Sequence, residues 1–475
     1  MKNLYHFISR RILPHHDNAF PRISFADTKN RLKNLVTKIP LLKNLIILLR
    51  FRSPKNKSKK ILISGGYGYK NTGDEAQLAF NLDFLRKNYP DYSITVFTPD
   101  KEYTQQEHNV DTELAPRVVF FDSNTSIHYS KSDKKFKLGF FIKLPRLLIN
   151  AKLLYAGLPM FFVSGKEARL LETVHESALL LLSGGGYLTG MTLSRLWDNM
   201  LLINIAYRMN VPVIASGQTI GVFKDNISPI LAKWGLKKLH QITVRDKSAS
   251  LNDLKSIGID GAHISSTVDD ALFCRCSSQD RISRLLTENN IPEEKPYITI
   301  NAHYWGLDTD SASKLIKNIA TLSEKLSDEG FSVVFLPMHP SDEKTAKEII
   351  DKTTNKNIYL FKYDYDYRDI RGLIKNSVCC ITMKHHPIVF ACGEKTPVVS
   401  IVMDDYYEHK NKGALALFNL EDFLIRYSDN LVDDILQKVD YIIAHRDELE
   451  RKISLYLDKY KPLAGKAIKD FFDNF

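Results

Sequence analysis

Short apolar runs alternate with longer amphipathic segments along most of this chain. The run at residues 60–64 (KILIS) ends at Gly65, and the next segment has helical spacing. Short runs without polar alternation are typical of strands buried on both faces of a parallel sheet. Comparable runs occupy residues 93–97, 178–183, 211–215, 241–246, 297–301, 332–336, 378–381 and 397–401. The alternation predicts an α/β fold of parallel strands and crossover helices.

A polar stretch at residues 287–296, which holds Pro292 and Pro296, divides this pattern into two halves. We therefore predict a Rossmann-like domain over residues 60–290 and a second one, with closing helices, over residues 296–475. A basic extension over residues 1–59 precedes them. Two doubly wound domains with a cleft between the carboxyl ends of their strands form a GT-B-like architecture.

The positive charge of the chain is concentrated at its N-terminus. The formal net charge is +11, yet residues 1–60 alone carry +13 and the remainder −2. Apolar residues over 32–49 recur at spacings of three and four among lysines and arginines, which indicates a basic amphipathic helix. We predict that residues 1–59 bind an anionic membrane surface. A helix packed on the body with a solvated basic face is the alternative, and nucleic acid is not expected because no binding motif occurs.

Several classes of protein are disfavoured. The longest apolar candidate for a membrane span, residues 44–49, stops at Arg50, and no secretory leader is recognisable. The prediction is a cytoplasmic protein, peripheral at the inner face of the plasma membrane. The five cysteines have no CxxC spacing, so we expect buried thiols and no metal site. A second basic and apolar stretch at residues 131–166 fits either a membrane-facing lip or an ordinary crossover helix.

Two glycine-rich turns follow predicted strands, at residues 65–68 and 184–187. In each case we expect a helix to start directly afterwards. Backbone N–H groups at a helix start form an anion site suited to phosphate or carboxylate. Neither turn is a Walker A loop or a close match to the dinucleotide fingerprint, and a plain tight turn is the alternative for each.

Taken together, these two turns and several later segments resemble the motifs of one protein family. Residues 66–76 (GYGYKNTGDEA) closely resemble the opening motif of the polysaccharide pyruvyl transferase family. Further similar segments follow in order: 184–186 (GGG), 215–221 (ASGQTIG), 244–248 (VRDKS) with Leu254 and Gly258, the pair Asp269 and Asp270, 336–342 (LPMHPSD), 383–391 (MKHHPIVFA), and Tyr407, Lys410 and Gly413. The resemblance covers about residues 60–415.

The resemblance implies transfer of pyruvate from phosphoenolpyruvate to a sugar of a bacterial surface polysaccharide or its lipid-linked precursor, usually as a cyclic ketal. Phosphoenolpyruvate is the co-substrate, and no cofactor is implied. Such chemistry needs an acid/base group with a pKa near neutrality and fixed cations for the donor. The matched positions are His386 and Asp74 as catalytic residues; Arg245, Lys384, Gly184, Gly185 and Gly186 for the donor; and Asn71, Gly68, Gln218, His339 and Lys410 for the acceptor or cleft.

Some positions leave alternatives open. Arg245 could form a local ion pair with Asp246, and Asp74 could simply cap the helix that follows. The family usually has Arg where this chain has Lys384, and lysine lacks the bidentate fork of arginine. It also usually has Leu at the position of His385. The alternatives for function are a GT-B glycosyltransferase using a nucleotide sugar, and a catalytically weakened relative that binds glycan or membrane.

Overall fold

The computed structural model describes residues 59–121, 134–191, 193–246, 248–304 and 307–474. The basic extension predicted over residues 1–59 lies almost wholly outside these ranges, so its helix and its binding to an anionic membrane surface stay predictions. Within the described ranges, no helix is both long enough and apolar enough to cross a membrane.

The first sheet has eight strands, and every pairing in it is parallel. Its strands are β1 (Lys60–Ser64), β2 (Ser93–Thr98), β3 (Asp111–Leu114), β4 (Leu179–Leu182), β5 (Gly185–Thr189), β6 (Val213–Gly221), β7 (Gln241–Val244) and β8 (Ile264–Ser266). The order across the sheet is β3-β2-β1-β4-β6-β7-β8, with β5 paired to β6 beyond the end of β4. The central strands β1 and β4 are buried, which explains their continuous apolar sequences.

The second sheet has six parallel strands. They are β9 (Tyr297–Asn301), β10 (Ser332–Phe335), β11 (Ile358–Leu360), β12 (Cys380–Thr382), β13 (Val398–Val402) and β14 (Leu424–Arg426). Their order is β11-β10-β9-β12-β13-β14. The two parallel sheets confirm the α/β fold class predicted from the apolar runs.

Helices connect the strands of both sheets. They are α1 (Thr72–Asn88), α2 (Lys101–His108), α3 (Pro116–Phe121), α4 (Lys134–Tyr155), α5 (Gly165–His175), α6 (Leu193–Arg208), α7 (Ser228–Leu236), α8 (Ala249–Ser256), α9 (Gln279–Glu288), α10 (Thr309–Asp328), α11 (Pro340–Ile350), α12 (Tyr367–Lys375), α13 (His385–Gly393), α14 (Asp405–Leu417), α15 (Leu431–Ala444), α16 (Arg446–Tyr460) and α17 (Lys466–Asn474). Short 3-10 turns occupy Asp270–Phe273, Glu421–Phe423 and Lys461–Leu463.

The strand order reverses direction once in each sheet. In the first sheet the reversal lies between β1 and β4, and in the second between β9 and β12. Open parallel sheets bind ligands in the crevice outside the carboxyl ends of the strands at such a point. The predicted site segments after β1, β4 and β12 therefore all follow strands that flank a reversal.

The chain crosses back to the first sheet at its end. Ala467 and Ile468 of α17 are fully buried in the cluster that contains Ile61 and Ile63 of β1. The sequence pattern placed this helix among those that close the second domain. Its packing is a long-range contact that helical spacing does not reveal, and the domain boundaries themselves stay predictions.

The second glycine turn does not lead directly into a helix, which corrects the sequence prediction. Gly185–Thr189 forms β5 alongside β6, and the next helix, α6, begins only at Leu193. The Tyr187 hydroxyl donates to the Ser183 carbonyl oxygen and is buried. Residues 184–186 therefore do not form a helix N-terminus.

Candidate active site

The loop between β1 and α1, together with the first turn of α1, holds three of the predicted site residues. Asn71 is the N-cap of α1, and its side-chain oxygen accepts a hydrogen bond from Gly73 N at 3.3 Å. Because Asn71 fills that role, Asp74 is not the cap that the alternative interpretation proposed. Asp74 lies in the first helical turn with its carboxyl group beside Gly66.

Gly68 shapes this loop. Its φ angle is +80°, its amide donates to Glu75 Oε1 at 2.9 Å, and a methyl group there would overlap Thr98 Oγ1. The residue therefore sets the loop conformation rather than supplying chemistry.

We expect Gly68→Ala to lower the free energy of unfolding by about 2 kcal/mol, because the new side chain is strained and overlaps its neighbour. Urea denaturation measures this change. Gly165→Ala is the matched control, since α5 starts there with open space around the Cβ position and φ is not positive. Equal stability of the two variants would contradict this role for Gly68.

The three glycines after β4 have separate environments. The Gly184 amide donates to Asp270 Oδ2 at 3.3 Å, and Gly185 lies in β5. Gly186 faces the second half of the molecule, since its Cβ position would be 3.5 Å from Lys410 Nζ. Of these glycines, Gly186 is the one closest to a cation.

Arg245 is buried at the end of β7 and pairs across the first sheet. Its Nε donates to Thr219 Oγ1 at 2.8 Å, and Nη1 forms an ion pair with Asp269. Nη2 is buried without a hydrogen-bond partner among the described residues. The alternative of a local pair with Asp246 is wrong, because that carboxylate accepts from the backbone and side chain of Ser250 instead.

Asp269 connects the two halves. It accepts from Gln77 Nε2 at 3.0 Å and lies 3.2 Å from His385 Nε2, at the start of α13. Burial alone would raise the pKa of Asp269, but Arg245 and the hydrogen bond with His385 outweigh it, and the pKa lies well below its usual value. Burial and the Arg245 charge lower the pKa of His385 to about 3.

His386 packs directly on the start of α1, across the cleft. A methyl group at Gly73 would overlap its ring, and its Nε2 is buried without a hydrogen-bond partner among the described residues. Burial keeps the pKa of His386 well below its ordinary value. The imidazole is therefore neutral here, so the premise of a pKa near neutrality is not met at this histidine, and its catalytic role stays a prediction.

We expect Gly73→Ala to destabilise the protein by about 2–4 kcal/mol, because the added methyl group meets a packed ring rather than solvent. The double variant Gly73→Ala/His386→Ala should recover most of that loss, since the ring is gone. Thermal unfolding of the parent, both single variants and the double variant completes the cycle. Additive losses would show that the two residues do not meet.

Lys384 follows β12 and is already paired. Its Nζ lies 2.7 Å from both carboxylate oxygens of Asp342 in α11. Asp342 also accepts from Met338 N at 3.0 Å. His339 is the N-cap of α11, with Nδ1 accepting from Ser341 N at 3.1 Å. The Lys384 charge is therefore partly neutralised by Asp342, and His339 lies between β10 and α11.

Lys410 and Asp74, in opposite halves of the molecule, both have shifted pKa values, and the charge of each affects the pKa of the other. Burial raises the pKa of Asp74 to about 6, although Lys410 and Arg195 oppose this shift. Burial and the Arg245 charge lower the pKa of Lys410 to about 7, although Asp74 and Asp269 oppose it. The Lys410 ammonium lies 5.8 Å from the centre of the Tyr406 ring. This pair, rather than His386, has proton affinities suited to acid/base work near neutral pH.

Gln218 lies inside the first sheet, not at the cleft. It is buried in β6, where Nε2 donates to Leu182 O at 3.2 Å and to Tyr187 Oη at 3.0 Å. It therefore supports the turn that precedes Gly186 instead of facing a substrate.

Sequence reasoning missed Arg195 and His303 as members of this region. Arg195 in α6 lowers the pKa of Asp74, yet no motif marks it. His303 follows β9, and both ring nitrogens are buried without hydrogen-bond partners among the described residues. Burial and Lys384 lower its pKa to about 4. The sequence signal that could have identified His303 is its position just after β9, a strand that flanks the reversal of strand order.

A comparison with protein families agrees with this arrangement. The model of the family described as polysaccharide pyruvyl transferase matches residues 71–406. The chain belongs to this family. Membership supports a transferase with a role in polysaccharide pyruvylation. Asp74, Arg245, Lys384 and His386 lie inside the matched region, and Lys410 lies just beyond its end.

Solved structures share the fold at low sequence identity. The UDP-GlcNAc 2-epimerase from Neisseria meningitidis bound to UDP-GlcNAc has a TM-score of 0.56 and 14% identity, over 88% of this chain and 100% of that one. Anabaena HepE in complex with UDP-glucose has a TM-score of 0.53 and 12% identity, over 87% and 99%. These likenesses establish the GT-B-like fold. No curated protein matches the chain.

Proposed function

We propose that this protein transfers pyruvate from phosphoenolpyruvate to a sugar of a bacterial surface polysaccharide or its lipid-linked precursor, forming a cyclic ketal and releasing phosphate. The observation that carries the proposal is the gathering of three cations, Arg245, Lys384 and Lys410, close enough that the first two lower the pKa of the third. A trianionic donor needs such fixed positive charge. Family membership supplies the reaction class.

The proposed reaction balances with this donor and two sugar hydroxyls. The methylene carbon of phosphoenolpyruvate takes up a proton, and the first hydroxyl oxygen bonds to the adjacent carbon as the enol double bond is lost. The second hydroxyl oxygen then bonds to the same carbon as the bond to phosphate breaks. One hydroxyl proton ends on the new methyl group and the other on the phosphate, so no redox partner is needed.

Asp74 and Lys410 are the proposed proton carriers. The Asp74 carboxylate, with a pKa of about 6, accepts the hydroxyl proton, and the Lys410 ammonium, with a pKa of about 7, supplies one to the donor. Neutral His386, which packs against the start of α1 from α13, is a third candidate. A bound anion would raise its pKa, because the negative charge favours the imidazolium form.

The donor cations differ in how free they are. Lys384 is held by both oxygens of Asp342. Arg245 is held through Nη1 by Asp269, which leaves its Nη2 without a partner among the described residues. We therefore assign the donor chiefly to Arg245 Nη2 and Lys410, with Lys384 contributing a partly neutralised charge.

A second candidate function is glycosyl transfer from a nucleotide sugar. The observation that favours it is the shared fold with proteins whose structures contain UDP or UDP-sugars. Fold alone does not determine chemistry, however, and the family match concerns pyruvyl transfer.

The test incubates the full chain with phosphoenolpyruvate and glycan or lipid-linked glycan fractions. We expect acceptor-dependent phosphate release together with an acid-labile pyruvyl ketal on the acceptor, detected by mass spectrometry. A parallel reaction replaces phosphoenolpyruvate with UDP-glucose. Acceptor-dependent UDP release, with no phosphate from phosphoenolpyruvate, would replace the proposal with the glycosyltransferase.

A further inference from the structure

The segment between α4 and α5, residues 156–164, exposes two consecutive aromatic side chains; we call it the aromatic loop. Phe161 is 54% exposed and Phe162 is 91% exposed. No charged residue occurs from residue 153 to residue 163. Large aromatic side chains are usually buried by a chain's own packing, and a contiguous exposed group marks an interaction surface.

The aromatic loop is held in place by a buried side chain. Asn150 of α4 accepts from Phe161 N at 2.6 Å and donates to Phe161 O at 2.9 Å, so both backbone groups of that residue are bound. Phe162 has a φ of +53°, a left-handed conformation that is unfavourable for a bulky residue. Packing against the described residues offsets little of this cost, because the Phe162 side chain is largely exposed.

The charged residues nearest to the aromatic loop in sequence, on either side, are lysines. Lys152 precedes it and the exposed Lys166 follows it. The nearest acidic residue in sequence, Glu167, is buried, pairs with Arg146 and accepts from Ser164 N at 2.8 Å. The Glu167 carboxylate is therefore not presented at the surface beside the aromatic loop. Exposed aromatic rings flanked by lysines complement the interface of a bilayer with anionic headgroups.

The position of the aromatic loop relative to the first sheet follows from two ion pairs of α5. At its end, Glu176 pairs with Lys60, the first residue of β1, at 3.0 Å. Nearer its start, Arg169 pairs with Glu113, close to the end of β3, at 2.6 Å. The helix therefore runs antiparallel to the strands, and its start lies toward their carboxyl ends. The aromatic loop lies on the side of the sheet that carries the candidate active site.

We propose that the aromatic loop inserts Phe161 and Phe162 into the headgroup region of an anionic membrane. The aromatic loop, on the carboxyl-end side of the first sheet, is then the point of contact with the bilayer. This contact is separate from the one predicted for residues 1–59. The proposed membrane contact is independent of the proposed reaction, since vesicle binding is measured without any substrate.

The first test measures partition of the full chain onto vesicles. Phosphatidylcholine vesicles with and without phosphatidylglycerol are compared for the parent, for Phe161→Ser/Phe162→Ser, and for Leu455→Ser. Leu455 is 72% exposed on α16 and serves as the matched control. We expect the double variant to bind anionic vesicles on the order of tenfold more weakly, and Leu455→Ser to bind as the parent does. Equal binding by all three proteins would overturn the proposal.

The second test localises the inserted residue, whatever residues 1–59 contribute. Phe162→Trp and Leu455→Trp are mixed with anionic vesicles containing brominated lipid, and their fluorescence is corrected for the tryptophans of the parent. We expect quenching of the new tryptophan at position 162 and none at position 455. An unquenched tryptophan at position 162 in vesicle-bound protein would refute insertion. Concentration-dependent dimerisation lost in Phe161→Ser/Phe162→Ser, without any effect on vesicle binding, would instead assign the aromatic loop to a second copy of the chain.

Discussion

Lys410→Met is expected to lower kcat by about a thousandfold while leaving the fold intact, since methionine keeps the apolar stem and removes the ammonium group. The Lys410 ammonium lies beside Gly186 of the first half, and burial holds its pKa at about 7. It is the cation best placed to supply a proton or contact the donor. Lys412→Met, an exposed position on the same helix, should keep parental activity. A Lys410→Met enzyme within tenfold of the parent would remove this lysine from the mechanism.

The pH profile of kcat/KM separates proton transfer by Lys410 from simple charge. In the parent, activity should fall below about pH 6, as Asp74 becomes protonated, and above about pH 7, as Lys410 loses its proton. Lys410→Arg keeps the positive charge but does not titrate in this range. We expect its alkaline limb to disappear. An unchanged alkaline limb in this variant would assign that limb to another group.

Arg245→Met is expected to lower the free energy of unfolding by about 3–5 kcal/mol at neutral pH, because it leaves the Asp269 carboxylate buried without its cation. Arg275→Met is the control, since its pair with Asp83 is exposed and should contribute less than about 1 kcal/mol. Urea denaturation of both variants gives the comparison. Donor binding should also weaken, because Arg245 Nη2 is lost.

The sign of the pH dependence follows from Asp269. Its folded pKa is lowered, so its contribution to stability is present above the usual carboxyl pKa of about 4 and is lost as the pH falls through the folded value. The stability difference between the parent and Arg245→Met should therefore shrink below about pH 4. The double variant Arg245→Met/Asp269→Asn should recover part of the loss at neutral pH. No recovery would mean that the buried carboxylate is not the cause.

The sequence predicted the central strands well and the edge strands poorly. β1, β4, β9 and β13 are apolar because both of their faces are covered, and such runs are visible without a structure. β8 and β11 are three residues long and less buried, so they carry no such signal. β5 is rich in glycine, and it is a strand only because β6 extends far enough to pair with it.

For the candidate site, too, the sequence predicted some features and missed others. Motifs placed Asp74, Gly186, Lys384 and His386 correctly after strands that flank a reversal, because parallel topology brings the carboxyl ends of strands to one edge. They did not reveal that Lys384 is paired with Asp342 or that Gln218 is buried within the sheet. These outcomes depend on neighbours that are distant in sequence.

The sequence by itself therefore determined the α/β class, the two parallel sheets and the family, since each depends on local apolar patterns or on the order of short motifs. Only the tertiary structure decided the electrostatics of the site. It brought Asp269 into contact with Arg245, which is 24 residues away in sequence, and with His385, which is 116 residues away. It also set the pKa of Asp74 at about 6 and that of Lys410 at about 7, and it lowered the pKa of His386 well below its ordinary value. The physical reason is that a pKa depends on burial and on nearby charges, and both are set by packing across the two sheets.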